Sequence, residues 1–162
     1  MTSRNWSLPL GLLLALLLLP LSPFSEAQIK GVLTVAPVDK LTIQRGSAGE
    51  VKIKAQLQPG FHVNSNTPSE EYLIPLKLTW AKEPLVAGEI VYPKPQMEKY
   101  DFSPTPLSVF SGNFEIVTHF KAPAEARNGP AMMSGKLRYQ ACNNRECLPP
   151  RTVDIAVSLD IQ

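Results

Sequence analysis

The stretch VKIKAQLQ, residues 51–58, alternates strictly between apolar and polar side chains. Its apolar positions are Val51, Ile53, Ala55 and Leu57, and lysines and glutamines fill the positions between them. Because successive side chains of an extended chain point to opposite faces, this period predicts a strand with one buried and one solvated face. The same period recurs in residues 136–141 and 151–159.

The rest of the chain offers further short strands separated by turn formers. The candidates are residues 31–38, 41–44, 73–80, 89–92 and 113–120. The sequence contains 16 prolines and 9 glycines, mostly between these segments, and no segment shows a capped helical stripe. Seven or eight short strands in one domain predict an all-β fold, an antiparallel β-sandwich.

The longest segment without a strand pattern is PKPQMEKYDFSPTP, residues 93–106. It is too rich in proline to pair as a central strand. Irregular segments of this length in a compact domain often carry function, so we expect a functional loop here.

The amino terminus has the pattern of a secretory signal peptide. Arg4 precedes an apolar run at residues 9–21, which Pro9 and Pro20 interrupt, and Ser25-Glu26-Ala27 has the small-x-small pattern of a cleavage site. A membrane anchor needs about twenty uninterrupted apolar residues. We therefore expect a signal peptide at residues 1–27, an exported domain at residues 28–162, and no membrane anchor after cleavage.

The charge of the chain is nearly balanced. It has 16 lysines and arginines against 14 aspartates and glutamates, with no basic cluster. Proteins that bind nucleic acid usually carry a concentrated basic surface. We therefore do not expect nucleic acid as a partner.

Both cysteines lie in YQACNNRECLPP, residues 139–150. The predicted strands place Cys142 at the end of one strand and Cys147 at the start of the next, across a tight hairpin. Such a hairpin brings two Cα atoms within the roughly 4.4–6.8 Å that a disulfide usually spans. Two cysteines in an exported chain are expected to be oxidised.

Three roles are compatible with this pair. A structural disulfide would close a loop of six residues, for which chain entropy contributes only about 2 kcal/mol. A zinc site could add His62 and His119, but these histidines lack the paired spacing of zinc modules, and we expect no metal. A redox-active disulfide needs accessible, closely spaced thiols, which Cys-x4-Cys supplies, although no helix start is present to lower a thiol pKa.

The cysteine segment resembles that of the amino-terminal periplasmic domain of the thiol:disulfide interchange protein DsbD. In that family a Tyr-Gln pair precedes the first cysteine and a proline pair follows the second, as in YQACNNRECLPP. PGFHVNSNTP, residues 59–68, and LIP, residues 73–75, are similar to the same family. The resemblance covers essentially the whole chain after residue 27.

The resemblance implies an immunoglobulin-like sandwich in the periplasm that passes electrons by thiol–disulfide exchange. It implies that Cys147 forms the mixed disulfide with a partner and that Cys142 resolves it. The donor would be a thioredoxin-like domain or a membrane electron transporter, and the acceptors would be oxidised periplasmic thiol proteins. No cofactor is implied.

The family also covers its cysteines with a flexible cap loop that contains an aromatic residue beside acidic ones. The corresponding region here is residues 93–106, in which Tyr100, Asp101 and Phe102 are the nearest equivalents, although their order differs from that of the family.

The residues leave three functions open. The first is thiol–disulfide interchange of the protein-disulfide reductase type, and the second is a non-catalytic binding module with a small structural disulfide. The third is a metal-binding carrier. A sandwich fold by itself distinguishes none of them, because function depends on the site.

Overall fold

The computed structural model describes Met1 and residues 31–162. Apart from Met1, the predicted signal peptide at residues 1–27 lies outside the described residues, so its cleavage after Ala27 stays a prediction. The described part of the chain contains no helix long and apolar enough to cross a membrane.

Residues 31–162 form twelve strands and no helix, which confirms the predicted all-β class. The strands are β1 Leu33–Val35, β2 Leu41–Ile43, β3 Ala48–Leu57, β4 His62–Asn64, β5 Lys77–Trp80, β6 Val86–Val91, β7 Gln96–Glu98, β8 Leu107–Ser111, β9 Asn113–Lys121, β10 Gly129–Tyr139, β11 Ala141–Cys142 and β12 Arg151–Ile161.

The strands pair into three four-stranded sheets. The first has the order β1-β3-β9-β6, the second β2-β12-β10-β5, and the third β11-β4-β8-β7. Every pairing is antiparallel except that of β2 with β12, which is parallel. The short third sheet carries the first cysteine.

Strand β3 shows why alternation specifies this fold. Its apolar side chains are buried and its lysines and glutamines are exposed, as predicted. Ile53 is fully buried and lies opposite Ile116 of β9. The apolar faces of the first two sheets meet in one core, which also includes Phe120, Leu137 and Ile155. Burial of these side chains is the main favourable contribution to folding.

Strands β4, β8 and β11 of the third sheet are buried on both faces. Val63, Phe110 and Ala141 point into the main core. Side chains on the opposite face lie under the loops at residues 65–76 and 99–106, where Leu73, Tyr100, Leu107 and Val109 form a second apolar cluster. The first cysteine lies at one end of this covered face.

The predicted strand positions need several corrections. Strands β4 and β8 carry no alternation because both faces of the third sheet are buried, and β8 reads LSVFS with four consecutive buried residues. Strand β7 lies inside residues 93–106, which we expected to be wholly irregular; its three residues contain no proline and pair only with β8, at the edge of the sheet. The segment predicted as a strand at residues 73–80 begins to pair only at Lys77.

A close contact between Gly135 and Trp80 gives a test of the packing. A Cβ atom at Gly135 would lie 2.6 Å from Cε3 of the Trp80 ring. The ring is fixed in place, because its Nε1 donates to Thr118 Oγ1 at 3.0 Å and its edge packs on Phe120. Glycine in a strand interior often marks such an approach.

We predict that Gly135→Ala lowers the free energy of unfolding by about 1–3 kcal/mol, because the added methyl group overpacks a fixed ring. Chemical denaturation would measure the loss. Ser134→Ala, on the exposed face of the same strand, is the matched control and should leave stability nearly unchanged. Equal stability of the Gly135→Ala variant and the wild type would contradict this packing.

Candidate functional site

Cys142 and Cys147 form a disulfide, with the two Sγ atoms 2.01 Å apart. Their positions differ from the predicted hairpin in two respects. Cys142 ends β11, which pairs with β4 in the third sheet and not with the strands of the second sheet. Strand β12 begins only at Arg151, so the disulfide lies on an excursion between two strands of the second sheet that are themselves paired.

A four-residue turn closes the excursion between the cysteines. The Asn143 side-chain oxygen accepts the backbone N–H groups of Arg145 at 2.8 Å and Glu146 at 2.9 Å. The backbone N–H of Asn143 donates to the Glu146 carbonyl at 2.9 Å. Asparagine is favoured in turns because its side chain can make such local bonds. The turn is therefore held by hydrogen bonds that do not involve sulfur.

The cysteines are directly opposite each other in this small antiparallel ladder. Backbone bonds flank the pair on both sides, from Leu148 N–H to the Ala141 carbonyl at 2.8 Å and from the Asn143 N–H just described. The Cα atoms lie 3.9 Å apart, closer than the range we expected. Directly opposed residues without mutual hydrogen bonds approach to about 4.5 Å, so this pairing brings the two Cα atoms close together.

The two cysteines differ sharply in exposure. Cys142 is 0% exposed, whereas Cys147 is exposed to solvent. Thiol–disulfide exchange begins when a thiolate reaches one sulfur of the bond, so access decides which sulfur is attacked. Cys147 is the accessible end of this disulfide, and Cys142 is the end that would leave.

His62 is the cross-strand neighbour of the buried cysteine. It lies directly opposite Cys142 in the pairing of β4 with β11 and is 2% exposed. The ring of Tyr100 stacks on the imidazole, with centroids 4.0 Å apart and an interplanar angle of 19°. The sequence pattern suggested His62 only as a metal ligand. Its position in the family-like stretch PGFHVNSNTP was the signal that could have placed it here.

The three cap candidates occupy different positions. Tyr100 is buried, and Phe102 stacks on its outer side with ring centroids 5.5 Å apart. Phe102 is 41% exposed, and Asp101 points outward as an exposed residue. The aromatic order from the inside to solvent is therefore His62, Tyr100, Phe102.

Polar contacts hold this loop in place. Lys99 Nζ donates to the carbonyls of Ser103 at 2.5 Å and Pro104 at 2.6 Å, which closes the loop on itself. Thr105 Oγ1 donates to Glu70 at 2.9 Å and ties it to the neighbouring loop. The Tyr100 hydroxyl donates to Glu98 Oε2 at 2.5 Å.

Burial changes the acid–base behaviour of the stacked rings. Burial lowers the pKa of His62, and the Glu98 carboxylate opposes part of that shift. Burial also raises the pKa of Tyr100, and the hydrogen bond to Glu98 and the charge of its carboxylate act in the same direction. Both rings are consequently neutral at neutral pH, since desolvation disfavours the charged form of each.

Two buried polar atoms in the described part of the chain have no hydrogen-bond partner, His62 Nε2 and Asn64 Oδ1. Both belong to β4, on the side that faces the second apolar cluster. Asn64 does donate through Nδ2 to the Ile74 carbonyl at 3.0 Å. A buried polar atom without a partner costs about 1–3 kcal/mol, so an unpaired atom beside a functional group needs a reason.

The zinc set considered from the sequence is not assembled. His119 lies on β9 of the first sheet, where its Nδ1 is 3.9 Å from Glu50, whereas His62 and Cys142 lie on the third sheet. Among residues 31–162, no group of three histidine, cysteine or acidic side chains is placed to hold a metal ion.

The fold and the site together define a class of protein: an all-β sandwich domain with an accessible disulfide between two closely spaced cysteines. The sequence profile of the family described as thiol:disulfide interchange protein DsbD, N-terminal, matches residues 30–159. The chain belongs to this family, which confirms both the resemblance and the predicted immunoglobulin-like antiparallel sandwich. Comparison with curated proteins finds no match.

Solved structures give more distant similarities. The N-terminal domain of Neisseria meningitidis DsbD in the reduced form is 16% identical, with a TM-score of 0.46 over 72% of this chain and 82% of that one. The N-terminal periplasmic domain of ScsB from Proteus mirabilis is 17% identical, with a TM-score of 0.47 over 79% of this chain and 44% of that one. A PapD-like domain of human CEP192 is 12% identical, with a TM-score of 0.42 over 89% of this chain and 96% of that one. Similarities this distant concern the fold alone.

The lowered pKa of His62 predicts a pH dependence of stability. Below about pH 6.5, the ordinary histidine pKa, the unfolded chain binds a proton that buried His62 resists, so the free energy of unfolding falls as pH falls. One such group contributes a slope of at most about 1.4 kcal/mol per pH unit.

Denaturant melts of the oxidised protein between about pH 7 and pH 5 would measure this slope. His62→Phe keeps an aromatic ring under Tyr100 and should flatten the slope. His119→Gln, at the exposed second histidine, is the control and should keep it. The same slope in the His62→Phe variant and the wild type would show that His62 is not the group responsible.

Proposed function

We propose that this domain is a thiol–disulfide interchange module that passes two electrons between partner proteins through Cys142 and Cys147. The observation that carries the proposal is the asymmetry of the disulfide, with one cysteine exposed and the other buried, in a chain of the DsbD N-terminal family. In this role the domain acts as a protein-disulfide reductase.

The proposed exchange has two steps. In the reduced domain, the Cys147 thiolate attacks a partner disulfide; the Cys147–partner bond forms, and the other partner sulfur leaves as a thiolate and takes a proton from solvent. The Cys142 thiolate then attacks Cys147 Sγ, the Cys142–Cys147 bond forms, and the partner sulfur leaves with the electron pair. The partner gains two electrons and the domain loses them. A donor restores the dithiol by the reverse sequence.

Family membership and the signal-like amino terminus support the same setting for this reaction. We propose that residues 1–27 are removed on export and that residues 28–162 work in the periplasm. The proposed electron donor is a thioredoxin-like domain or a membrane electron transporter, and the proposed acceptors are oxidised periplasmic thiol proteins. Neither step requires a cofactor.

The competing role is a non-catalytic binding module in which the Cys142–Cys147 disulfide is only structural. The size of the loop argues against a large structural contribution, since a six-residue loop gives about 2 kcal/mol and the hydrogen bonds of the Asn143 turn already restrain it. A reduction potential separates the two roles. Structural disulfides usually lie below about −300 mV, and exchange-active ones are more oxidising.

We predict opposite behaviour for two single-cysteine variants. Reduced Cys142→Ser should accumulate a mixed disulfide with an oxidised thioredoxin, because the domain then has no second thiol to resolve it. Reduced Cys147→Ser should form none, because Cys142 is buried. Non-reducing electrophoresis and intact mass would detect the adduct.

Both variants should unfold cooperatively, since loss of the bond costs only about 2 kcal/mol. The wild type is the control and should form only a transient adduct. An adduct on Cys147→Ser alone would reverse the two roles. If neither folded variant formed an adduct, the exchange function would be excluded and the structural disulfide would be the remaining role.

We further propose that Tyr100 and Phe102 form a cap over the buried end of the site. The stack of their rings on His62, beside Cys142, supports this role. Because Cys147 is already exposed, the cap would protect Cys142 and leave the attacked sulfur open. Asp101 faces solvent at the rim, where a partner would meet it.

We predict that Tyr100→Ala with Phe102→Ala raises the rate at which the Cys142 thiol reacts with iodoacetamide severalfold. The measurement is made in a Cys147→Ser background, so that the buried Cys142 thiol is the only one that can react with iodoacetamide. Tyr72→Ala removes an exposed aromatic side chain outside the stack and serves as the control. An unchanged rate in a folded double variant would show that these rings are not a cap.

A further inference from the structure

His62 Nε2 is buried and unpaired beside a cysteine that must gain and lose a proton. In the oxidised protein Cys142 carries no hydrogen, so the disulfide offers the imidazole no donor. Reduction places an S–H group on Cys142, directly opposite the ring in the strand pairing. We propose that His62 is the proton acceptor for the Cys142 thiol in the resolving step and the proton donor to it in the reverse step. This inference rests on the exchange function proposed above.

The strand register places the two side chains on one face. In an antiparallel pair, directly opposed residues have Cβ atoms about 4.5–5.5 Å apart and their side chains on the same side of the sheet. Cys142 and His62 are such a pair, and both are fully or almost fully buried. Tyr100 covers one side of the ring and restricts its movement.

A proton acceptor is needed because Cys142 is isolated from water. A thiol has an ordinary pKa of about 8.5, and burial in apolar surroundings raises it, so the attacking thiolate is scarce at neutral pH. Cys142 is 0% exposed and cannot give its proton directly to solvent. An adjacent base that accepts the proton is the usual way to activate such a nucleophile.

The surroundings of His62 favour this role. The titratable groups that face it are Cys142 from β11, Glu98 from β7 and Tyr100 from the following loop, and Ser111 lies opposite it on β8. Burial keeps the imidazole neutral and therefore able to accept a proton. The Glu98 carboxylate favours the imidazolium once it forms.

The proton and electron changes balance in both directions. In resolution, Cys142 S–H gives its proton to Nε2, the thiolate attacks Cys147 Sγ, and the partner sulfur leaves with the electron pair of the broken bond. The imidazolium then releases its proton to the leaving thiolate or to water that enters when the cap opens. In the reverse direction the donor thiol, or water that enters when the cap opens, first gives a proton to Nε2. The donor thiolate then attacks Cys147, Cys142 leaves as a thiolate, and Nε2–H gives that proton to it.

A purely structural role for His62 does not explain its unpaired nitrogen. A core histidine is expected to hydrogen-bond through its buried nitrogen, whereas this atom has no partner in the oxidised state. Phenylalanine would fill the same space and stack on Tyr100 without the cost of an unpaired nitrogen. The cost of the unpaired Nε2 is explained if its hydrogen-bond partner is the Cys142 thiol, which exists only in the reduced state.

The resolving step can be timed with the disulfide reagent 5,5′-dithiobis(2-nitrobenzoate) on the reduced full chain. Attack by Cys147 releases one thionitrobenzoate anion, and attack by Cys142 on the resulting adduct releases a second. We expect His62→Phe to slow the second release at least about a hundredfold at neutral pH, the lower end of the range for acid–base catalysis by a side chain, with the first release nearly unchanged. Well above the ordinary thiol pKa of about 8.5 the difference should shrink, because alkali then deprotonates the thiol without the imidazole.

His119→Gln is the matched control and should follow the wild type in both releases at every pH. Equal second-release rates in the wild type and the folded His62→Phe variant would overturn the role of His62 and leave the exchange function intact. A wild type that releases no second anion would instead overturn the exchange function. A slowing that is the same at all pH values would indicate a structural effect and also overturn the proposal.

The wild type alone provides a second test, which does not depend on the folding of the variant. Nitrogen chemical shifts of the His62 ring would be followed against pH in the oxidised and reduced protein. The reduced protein should show a shift of the Nε2 resonance and a His62 titration coupled to that of Cys142. An identical His62 titration in both redox states would overturn the proposal.

Discussion

The antiparallel pairing of β10 with β12 is the constraint on which the site depends. The two strands remain in register from Gly129 opposite Ile161 to Tyr139 opposite Arg151. Because this pairing is unbroken as far as Tyr139 and Arg151, the connecting residues 140–150 must leave the second sheet as an excursion. That excursion joins the third sheet through β11 and brings Cys142 against His62. The core of the sandwich thus positions a cysteine pair that belongs to neither apolar cluster.

The strands were predictable wherever one face is exposed to solvent and the other is buried. The alternation at Val51–Leu57 and in the carboxy-terminal strand is the direct result of a buried and a solvated face, and these strands were found. The third sheet escaped prediction for the opposite reason. Both of its faces are covered, so β4 and β8 show no period of two, and His62 and Asn64 look like loop residues. Alternation of apolar and polar residues identifies a strand only when one face is exposed and the other is buried. A strand that is buried on both faces shows no alternation.

The site was only partly accessible from the sequence. The cysteines and their separation could be read directly, and the resemblance supplied a role for each. Burial of Cys142 and exposure of Cys147 depend on pairing with β4, a contact between residues 62 and 142 that leaves no trace in the local sequence. The stack of Tyr100 on His62 depends on the same long-range contact. The resemblance suggested a cap at residues 93–106 but gave no reason for the histidine beneath Tyr100.

The turn at Asn143 has a consequence for how long any partner is held. Its hydrogen bonds use backbone groups and an amide oxygen, so none of them depends on the bond between the two sulfurs. The second thiol therefore waits at a very high effective concentration beside the first, and ring closure competes easily with any rival thiol in solution. Under the exchange proposed above, covalent complexes of this domain would consequently be brief. The domain would then deliver its electrons in pairs and release each client quickly, so selectivity among clients would be exercised at encounter, before any bond to sulfur is made.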